Sequence, residues 1–279
     1  TQSDDLEIFT TRFQQDFFLR DGAMMLGPRF DWIFYQPRDA LPKVSVQRPG
    51  MFARNRFNDW SELTGNLFFD IVSPENRASY TEVTFDTYLT LWPNDTLRFD
   101  LGANRTTFDN VQSLLERVTA TYGTFSMDIT PDERFRFSSR ANYGEYSDGN
   151  SRAWWQMEAE RRLWRDPKVF IGLRYTGMTF ARQLNSGYYN PKELHSVVAT
   201  SHIWGHWKKK LYYNINGAVG FEQENPAGTK PVASGGLQLS YVLNKRWELR
   251  GWIQYFSSAQ AASGGFSRTT FGGAIRYVW

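Results

Sequence analysis

The sequence predicts an all-β protein: an antiparallel β-barrel of the kind that crosses a bilayer with its strands. Three observations predict it. Apolar and polar side chains alternate with a period of two along most of the chain, aromatic residues make up 17% of the 279 residues and stand beside charged ones, and the mean hydropathy is only −0.54. A period of two places successive side chains on opposite faces of a strand. A soluble domain with eleven tryptophans and twenty-two phenylalanines would hide them in contiguous apolar segments instead.

Composition excludes several other classes. No run of about 18 consecutive apolar residues occurs, which argues against a membrane-spanning helix. Because the N-terminus lacks the pattern of a signal peptide, we expect that such a peptide has been removed or that the chain was cut from something longer. The chain has no cysteine, hence neither a disulfide framework nor a thiolate metal site. A net charge of +3, from 32 basic and 29 acidic residues, gives no support for a nucleic-acid partner.

The C-terminal segment shows the clearest alternation: Phe271, Ile275 and Tyr277 share one face, and Ala274 and Arg276 share the other. The pattern predicts further strands upstream, at residues 62–71, 82–91, 97–104, 134–143, 155–163, 169–176, 211–222, 237–243 and 247–256. Leu6–Leu19 and Ala23–Gln36 are predicted to form the first hairpin. With one further strand in Leu114–Ile129 and one that contains His202 and His206, this gives 14 strands.

Short and longer connections alternate along the chain. The short ones are Pro93–Asp95, Pro131–Glu133, Asp166–Pro167, Lys208–Lys210 and Asn244–Arg246. The longer ones are Asp109–Ser113, Ser147–Ser151, Gln183–Glu193, Glu224–Lys230 and Ser257–Gly265. Short periplasmic turns and longer extracellular loops are typical of bacterial outer-membrane barrels. Trp279 is then expected at the periplasmic end.

Two regions fit the pattern less well. Arg38–Asn58 contains Pro42, Pro49 and Gly50, and is either one long connection or an extra short hairpin that makes 16 strands. In Leu114–Ile129 the apolar face changes between Tyr122 and Phe125, for which a β-bulge is expected. An even strand number would place Thr1 in the periplasm. We therefore expect residues 1–5 to be a periplasmic linker or cut end, and residues 6–279 to form the barrel.

A soluble β-sandwich also alternates. The predicted strands, at about 12–15 residues, are long for a sandwich, and nearly every strand has full charges on its polar face, which a packed core would not tolerate.

The sequence gives little support for catalysis or a metal. His202 and His206 lie roughly 13 Å apart if both are on one strand, too far for one ion. His195 and Ser196 are adjacent on a strand and point to opposite faces, so they cannot form a hydrolase pair. We expect no enzyme, no metal site and no cofactor.

The polar face should line the pore. It combines charges of both signs with aromatic rings, which suit the stacking of sugar rings. Its balance of charge disfavours a highly anionic cargo. The candidate pore-lining residues are Tyr88, Arg136, Trp154, Glu158, Arg174, Trp204, Tyr212, Glu248, Arg250, Trp252 and Arg276.

Two predicted extracellular loops contain short motifs: Gly144–Asn150 (GEYSDGN) and Ser186–Lys192 (SGYYNPK). They resemble loops in the C-terminal barrels of tetratricopeptide-repeat outer-membrane proteins that export exopolysaccharide, such as the cellulose, poly-N-acetylglucosamine and Pel exporters. The candidate loop residues are Tyr146, Asp148, Asn150, Tyr188, Tyr189 and Pro191. The resemblance implies a periplasmic helical-repeat region and an inner-membrane synthase complex as partners.

The leading hypothesis is an outer-membrane pore that exports a polysaccharide without catalysis. A general or sugar-uptake porin, or a receptor bound by phage or another ligand through its outer loops, stays open as an alternative. Loops long enough to fold inward are few, so we expect an open or externally gated lumen.

Overall fold

The computed structural model describes residues 6–37, 41–108, 110–225, 228–258 and 266–277. They form sixteen strands and one short α-helix, α1 (Val111–Leu115). The strands are β1 (Leu6–Gln14), β2 (Phe17–Leu19), β3 (Met24–Pro37), β4 (Val44–Asn58), β5 (Ser61–Pro74), β6 (Tyr80–Asn94), β7 (Leu97–Thr107), β8 (Thr119–Ile129), β9 (Phe135–Tyr146), β10 (Ser151–Trp164), β11 (Lys168–Phe180), β12 (Glu193–Trp207), β13 (Leu211–Asn225), β14 (Gly228–Val242), β15 (Trp247–Ser258) and β16 (Phe266–Tyr277). Within the described part of the chain, no helix is long and apolar enough to span a bilayer.

All sixteen strands belong to one antiparallel sheet, in which each strand from β3 onward pairs with the next along the chain. Two of them, β1 and β2, follow one another along the same partner, β3, so they form a single interrupted strand. The predicted all-β, antiparallel barrel architecture is confirmed. The sheet has sixteen strands, the larger of the two predicted numbers, when β1 and β2 are counted separately, and fifteen when they are counted as one. Among the described residues no pairing joins β1 to β16.

The sequence predicts either a long connection or a short hairpin within Arg38–Asn58. In the structure, Val44–Asn58 is instead one full-length strand. Gln47 pairs with Ile71 and Gly50 pairs with Phe68, in the same register. Between them Pro49 has no N–H to donate, so it interrupts the ladder without shifting it. Because of its prolines, the sequence pattern did not indicate this complete strand.

The expected bulge in β8 is also absent: its register with β7 and with β9 is continuous from Ala120 to Ile129. The irregular pattern has another cause. Tyr122 is an aromatic residue on the inward face, 7% exposed, and the residues before Thr119 belong to α1 and its following turn.

The two ends of the sheet differ as predicted. Short turns follow β4, β6, β8, β10, β12 and β14, and β16 ends at this same end, where Tyr277 pairs with Trp247. Longer connections at the opposite end include residues 108–118 and 181–192. The predicted long loop at Glu224–Lys230 is mostly strand, because β13 extends to Asn225 and β14 begins at Gly228.

The orientation of the first strand differs from the expectation. Leu6 pairs with Pro37, at the end that has the longer loops, rather than at the end with the short turns. Residues 1–5 and Trp279, for which a linker and a periplasmic aromatic residue are expected, lie outside the described residues.

The two faces of the sheet have opposite chemistry. From β4 onward, large odd-numbered side chains point outward and are exposed, among them Leu173 (63%), Val219 (63%) and Phe271 (82%). Even-numbered positions point inward and contain the ion pairs. Arg48 donates two hydrogen bonds of 2.8 Å to the fully buried Asp70, whose oxygens also accept bonds from Thr84 and Thr107. An apolar outer face with a polar inner face is the arrangement of a barrel in lipid.

We expect Asp70→Asn to lower the free energy of unfolding by about 3–5 kcal/mol, because it leaves the Arg48 guanidinium buried without its counter-charge. Asp59→Asn is the matched control. Its pair with Arg56 is fully exposed to solvent on the Asp59 side, so we expect a change below about 1 kcal/mol. Urea unfolding of the barrel in lipid vesicles measures both; equal effects would contradict the role of the buried pair.

Candidate substrate path

The connection between β7 and β8 folds into the outer mouth of the barrel. Asn110 caps α1 by accepting a hydrogen bond of 2.8 Å from the backbone N–H of Ser113. Val111 and Leu114, 2% and 1% exposed, pack against inward side chains of β3, β4 and β5. These inward partners are Ile33, Tyr35, Val44, Val46 and Val72. An inward segment therefore occupies the mouth on the side of β3, β4 and β5.

This finding corrects the expectation of an open lumen with few inward loops. A signal for it existed in the sequence. Val111, Leu114, Leu115 and Val118 follow the i, i+3, i+4, i+7 spacing of an amphipathic helix. The strand predicted within Leu114–Ile129 overlaps this stretch, because a helix of one turn is too short to be distinguished from its neighbours by periodicity.

Next to α1, an aromatic cluster joins the mouth loops to the barrel wall. The Tyr188 ring stacks on the rings of Tyr146 and Phe108, with centroids 4.9 and 5.0 Å apart. Tyr122 and Phe180 complete the cluster, and the hydroxyl of Tyr122 donates to that of Tyr146 at 2.9 Å. Packed aromatic rings of this kind fix the position of the loop from which Tyr188 projects.

The two loop motifs, separated by some 40 residues in sequence, are in direct contact. Tyr188 donates a hydrogen bond of 2.8 Å to Asp148, and Asn150 donates one of 2.9 Å to the Tyr188 hydroxyl. Asn150, only 2% exposed, also bonds both the backbone carbonyl and the N–H of Arg182. The motifs therefore form one structure that holds residues 181–192 against the turn after β9.

The same loop is attached to α1. Ser113 donates to the carbonyl of Ser186 at 2.7 Å, and Gln112 donates to that of Asn185 at 3.2 Å. Gly187 allows this approach: its φ is +79°, and a Cβ there would lie 2.6 Å from the Cβ of Gln112. Residues 181–192 and α1 are thus connected to each other at the mouth.

The remaining motif residues lie on the other side of this loop. Burial raises the pKa of Tyr189, with Glu224 and Glu222 of β13 adding to the effect. Pro191 is buried just before β12 begins. All six predicted loop residues therefore lie in or beside the packed loops of the mouth rather than on a freely exposed loop.

Below the mouth, the predicted pore-lining residues all occupy inward, even-numbered positions, and several are brought together. Tyr88 and Trp154 line one cavity of about 560 Å³, together with Asp100, Arg98 and Arg140. Trp154 also lines a second cavity of about 240 Å³, with Arg174 opposite. Aromatic rings and hydrogen-bonding side chains therefore share the same space.

A second group lies on β9 to β12. The Arg136 guanidinium lies over the rings of Phe170 and Trp204, 4.3 and 4.9 Å from their centroids. Arg174 lies 3.4 Å from Glu158. Phe170 is 1% exposed, so it packs beneath these groups rather than lining the pore.

A third group lies near the short turns. Arg250 pairs with Glu248 at 2.8 Å, and Arg276 lies 3.7 Å from the same carboxylate. Trp252 and Tyr212 remain 39% and 46% exposed and are not joined to either of the groups above. Trp252 covers Gly272, where a Cβ would collide with its ring.

The three histidines lie in different surroundings. His195 faces away from Ser196, and its Nδ1 lies 2.8 Å from the Tyr175 hydroxyl, so the two do not form a hydrolase pair. His206 is exposed near Tyr212. His202, however, lies beside Glu158 and Glu160 of β10, a grouping that sequence spacing could not reveal.

The chain matches the family model of the PgaA membrane β-barrel domain over residues 44–259. The chain belongs to this family. Among solved structures, a bacterial polysaccharide outer membrane secretin is 12% identical, with a TM-score of 0.66 and 91% of each chain covered. OmpT of Vibrio cholerae is 10% identical, with a TM-score of 0.47 and coverage of 100% and 99%. Comparison with curated protein sequences gives no match.

Membership of the PgaA barrel family and the shared barrel fold place this chain in the bacterial outer membrane, where it forms a pore. The predicted localisation is confirmed, as is the resemblance to polysaccharide-exporting barrels. The exposed odd-numbered face is then the lipid-facing surface, and the ion pairs and rings of the even-numbered face line the interior of the PgaA-family barrel.

The mouth should open at high pH. Burial, followed by the hydrogen bond to Asp148, raises the pKa of Tyr188 to about 12. A raised pKa means that the contact is fully present below the ordinary tyrosine value of about 10 and is lost as the pH rises through 12. We expect conductance in planar bilayers to be steady up to pH 10 and to rise toward pH 12. Tyr188→Phe should lack this step; an identical step in that variant would contradict the assignment.

Proposed function

We propose that this barrel is the outer-membrane pore through which a polysaccharide is exported. The observation that carries the proposal is the PgaA barrel-domain match over residues 44–259, which joins the chain to a family of export barrels. The fold it shares with a polysaccharide secretin supports it. The barrel acts as a passive conduit, without catalysis.

The interior suits a carbohydrate chain. Sugar rings have apolar faces that stack on aromatic side chains and hydroxyl edges that form hydrogen bonds. Tyr88 and Trp154 offer aromatic faces in the cavity where Asp100 and Arg140 offer hydrogen-bonding groups. The polymer would pass these rings in succession, exchanging one weak contact for the next.

The charge of the interior supports a neutral or weakly charged polymer. Inward carboxylates are paired: Asp70 with Arg48, Glu62 with Arg54, Asp100 with Arg98, and Glu248 with Arg250. Because the opposite charges neutralise one another locally, neither a polyanion nor a polycation meets a lining of one dominant sign.

We propose further that the barrel works as part of a larger protein with a periplasmic helical-repeat region, which would receive the polymer from an inner-membrane synthase complex. The resemblance of the loop motifs to those of repeat-bearing exporters supports this arrangement. The polymer would displace the inward segments at the mouth as it leaves.

The test uses alanine variants of the full-length protein in its native host. We expect Trp154→Ala and Trp204→Ala to reduce secreted polymer several-fold, because each removes a ring from the path. Trp207→Ala is the matched control: it lies on the same strand as Trp204 but points outward and is 63% exposed. Heat-modifiable migration of the barrel confirms that each variant is folded.

Normal secretion by the Trp154→Ala, Trp204→Ala double variant would contradict the role of these rings. If the folded barrel conducts small sugars, and deletion of its gene leaves polymer secretion unchanged, the protein is a sugar-uptake porin instead. Loss of phage adsorption alone, after deletion of residues 185–190, would identify a receptor.

A further inference from the structure

We propose that the barrel wall contains a binding site for one divalent transition-metal ion of the zinc type, with Glu158, Glu160 and His202 as its ligands. Two strands supply the site: Glu158 and Glu160 come from β10, and His202 comes from β12, with β11 between them. One oxygen or nitrogen atom from each of the three side chains lies within 4.8 Å of the other two.

The distances match those between ligands of one zinc ion. His202 Nε2 lies 3.1 Å from Glu160 Oε1 and 3.7 Å from Glu158 Oε1. Zinc binds nitrogen and oxygen at about 2.0–2.2 Å in a tetrahedral arrangement, which separates neighbouring ligand atoms by about 3.3–3.6 Å. The two separations from His202 Nε2 lie on either side of that range, so small side-chain rotations would bring the three atoms around one ion.

The two carboxylate oxygens also lack another partner. Glu158 Oε1 and Glu160 Oε1 are buried atoms without a hydrogen bond of good geometry among the described residues, and each side chain is only 12% exposed. Two unsatisfied carboxylate oxygens beside the same histidine nitrogen are costly unless a proton or a cation lies between them. A metal ion bound by both removes that cost.

Gly172 of β11 makes the approach across the sheet possible. It pairs with Glu160 on one side and with Thr200 on the other. A Cβ at this position would lie 2.9 Å from both Glu160 Cγ and Thr200 Oγ1. Because Gly172 has no Cβ, the Glu160 side chain crosses over β11 and reaches His202. The ring of His202 is itself held by Trp204, stacked at 5.5 Å.

Two arginines border the site and set its strength. Arg174 Nε lies 3.4 Å from Glu158 Oε2, the oxygen that does not face His202. Arg136 lies over Phe170 and Trp204. Each offsets part of the carboxylate charge, so we expect binding in the micromolar range.

The imidazole ligand selects zinc, cobalt or nickel over magnesium and calcium, which prefer oxygen ligands alone.

The test is a titration of the metal-free, full-length protein in detergent with Zn²⁺, followed by calorimetry. We expect one equivalent to bind. His202→Ala and Glu160→Gln should each weaken binding by more than about tenfold, because even the loss of a residue that only orients a ligand costs roughly 10–100-fold in affinity. His206→Ala is the matched control, because it removes a histidine from the same strand and the same face and should leave binding unchanged.

Cobalt gives a second readout that does not depend on export. Co²⁺ at this site should show the visible absorption of a tetrahedral complex, and Glu160→Gln should abolish it even if His202→Ala fails to fold. Absence of Zn²⁺ binding at micromolar concentration, or equal binding by the Glu160→Gln variant, would overturn the proposal and leave a protonated His202 between the two carboxylates. The inference does not rest on the proposed function, since a sugar-uptake barrel would bind the metal equally.

Discussion

The fixed period of two residues along a β-strand is the constraint on which the rest of this barrel depends. It assigns each side chain to lipid or lumen before any contact forms, and one slip of register would exchange the two. Outward residues such as Leu173 and Val219 can then be apolar throughout, while inward residues pair charges. Because the backbone groups within lipid must find partners inside the protein, the continuous ladder from β3 to β16 is equally necessary.

Where the strands end, the period no longer applies and packing decides the structure. The mouth is filled by α1 and residues 181–192, which bury apolar side chains against inward residues that are themselves apolar near the outer end. Farther from the mouth the inward face changes to ion pairs and exposed rings. Among the described residues, the lumen thus has a packed, apolar part near the mouth and a polar part farther from it.

Glycine shapes both parts of the path by letting neighbouring groups approach. At the mouth, Gly187 brings its loop against Gln112; in the wall, Gly172 lets Glu160 reach His202. In the wall, the missing side chain creates the space in which groups from non-adjacent strands meet. The same wall holds Arg136 over Trp204, so charge, aromatic surface and candidate metal ligands all lie within a few strands.

The sequence by itself determined which side chains face lipid, most strand positions and the short turns, because each follows from local alternation and turn residues. It did not reveal β4 as one strand, since Pro49 interrupts the ladder with β5 and the register is maintained only by the pairing of β4 with β3 and β5. Nor did it show that Tyr188 contacts Asp148, or that His202 lies beside Glu160. Those contacts depend on the pairing register between strands and on loop packing, which link residues some 40 positions apart, and only the tertiary structure decided them.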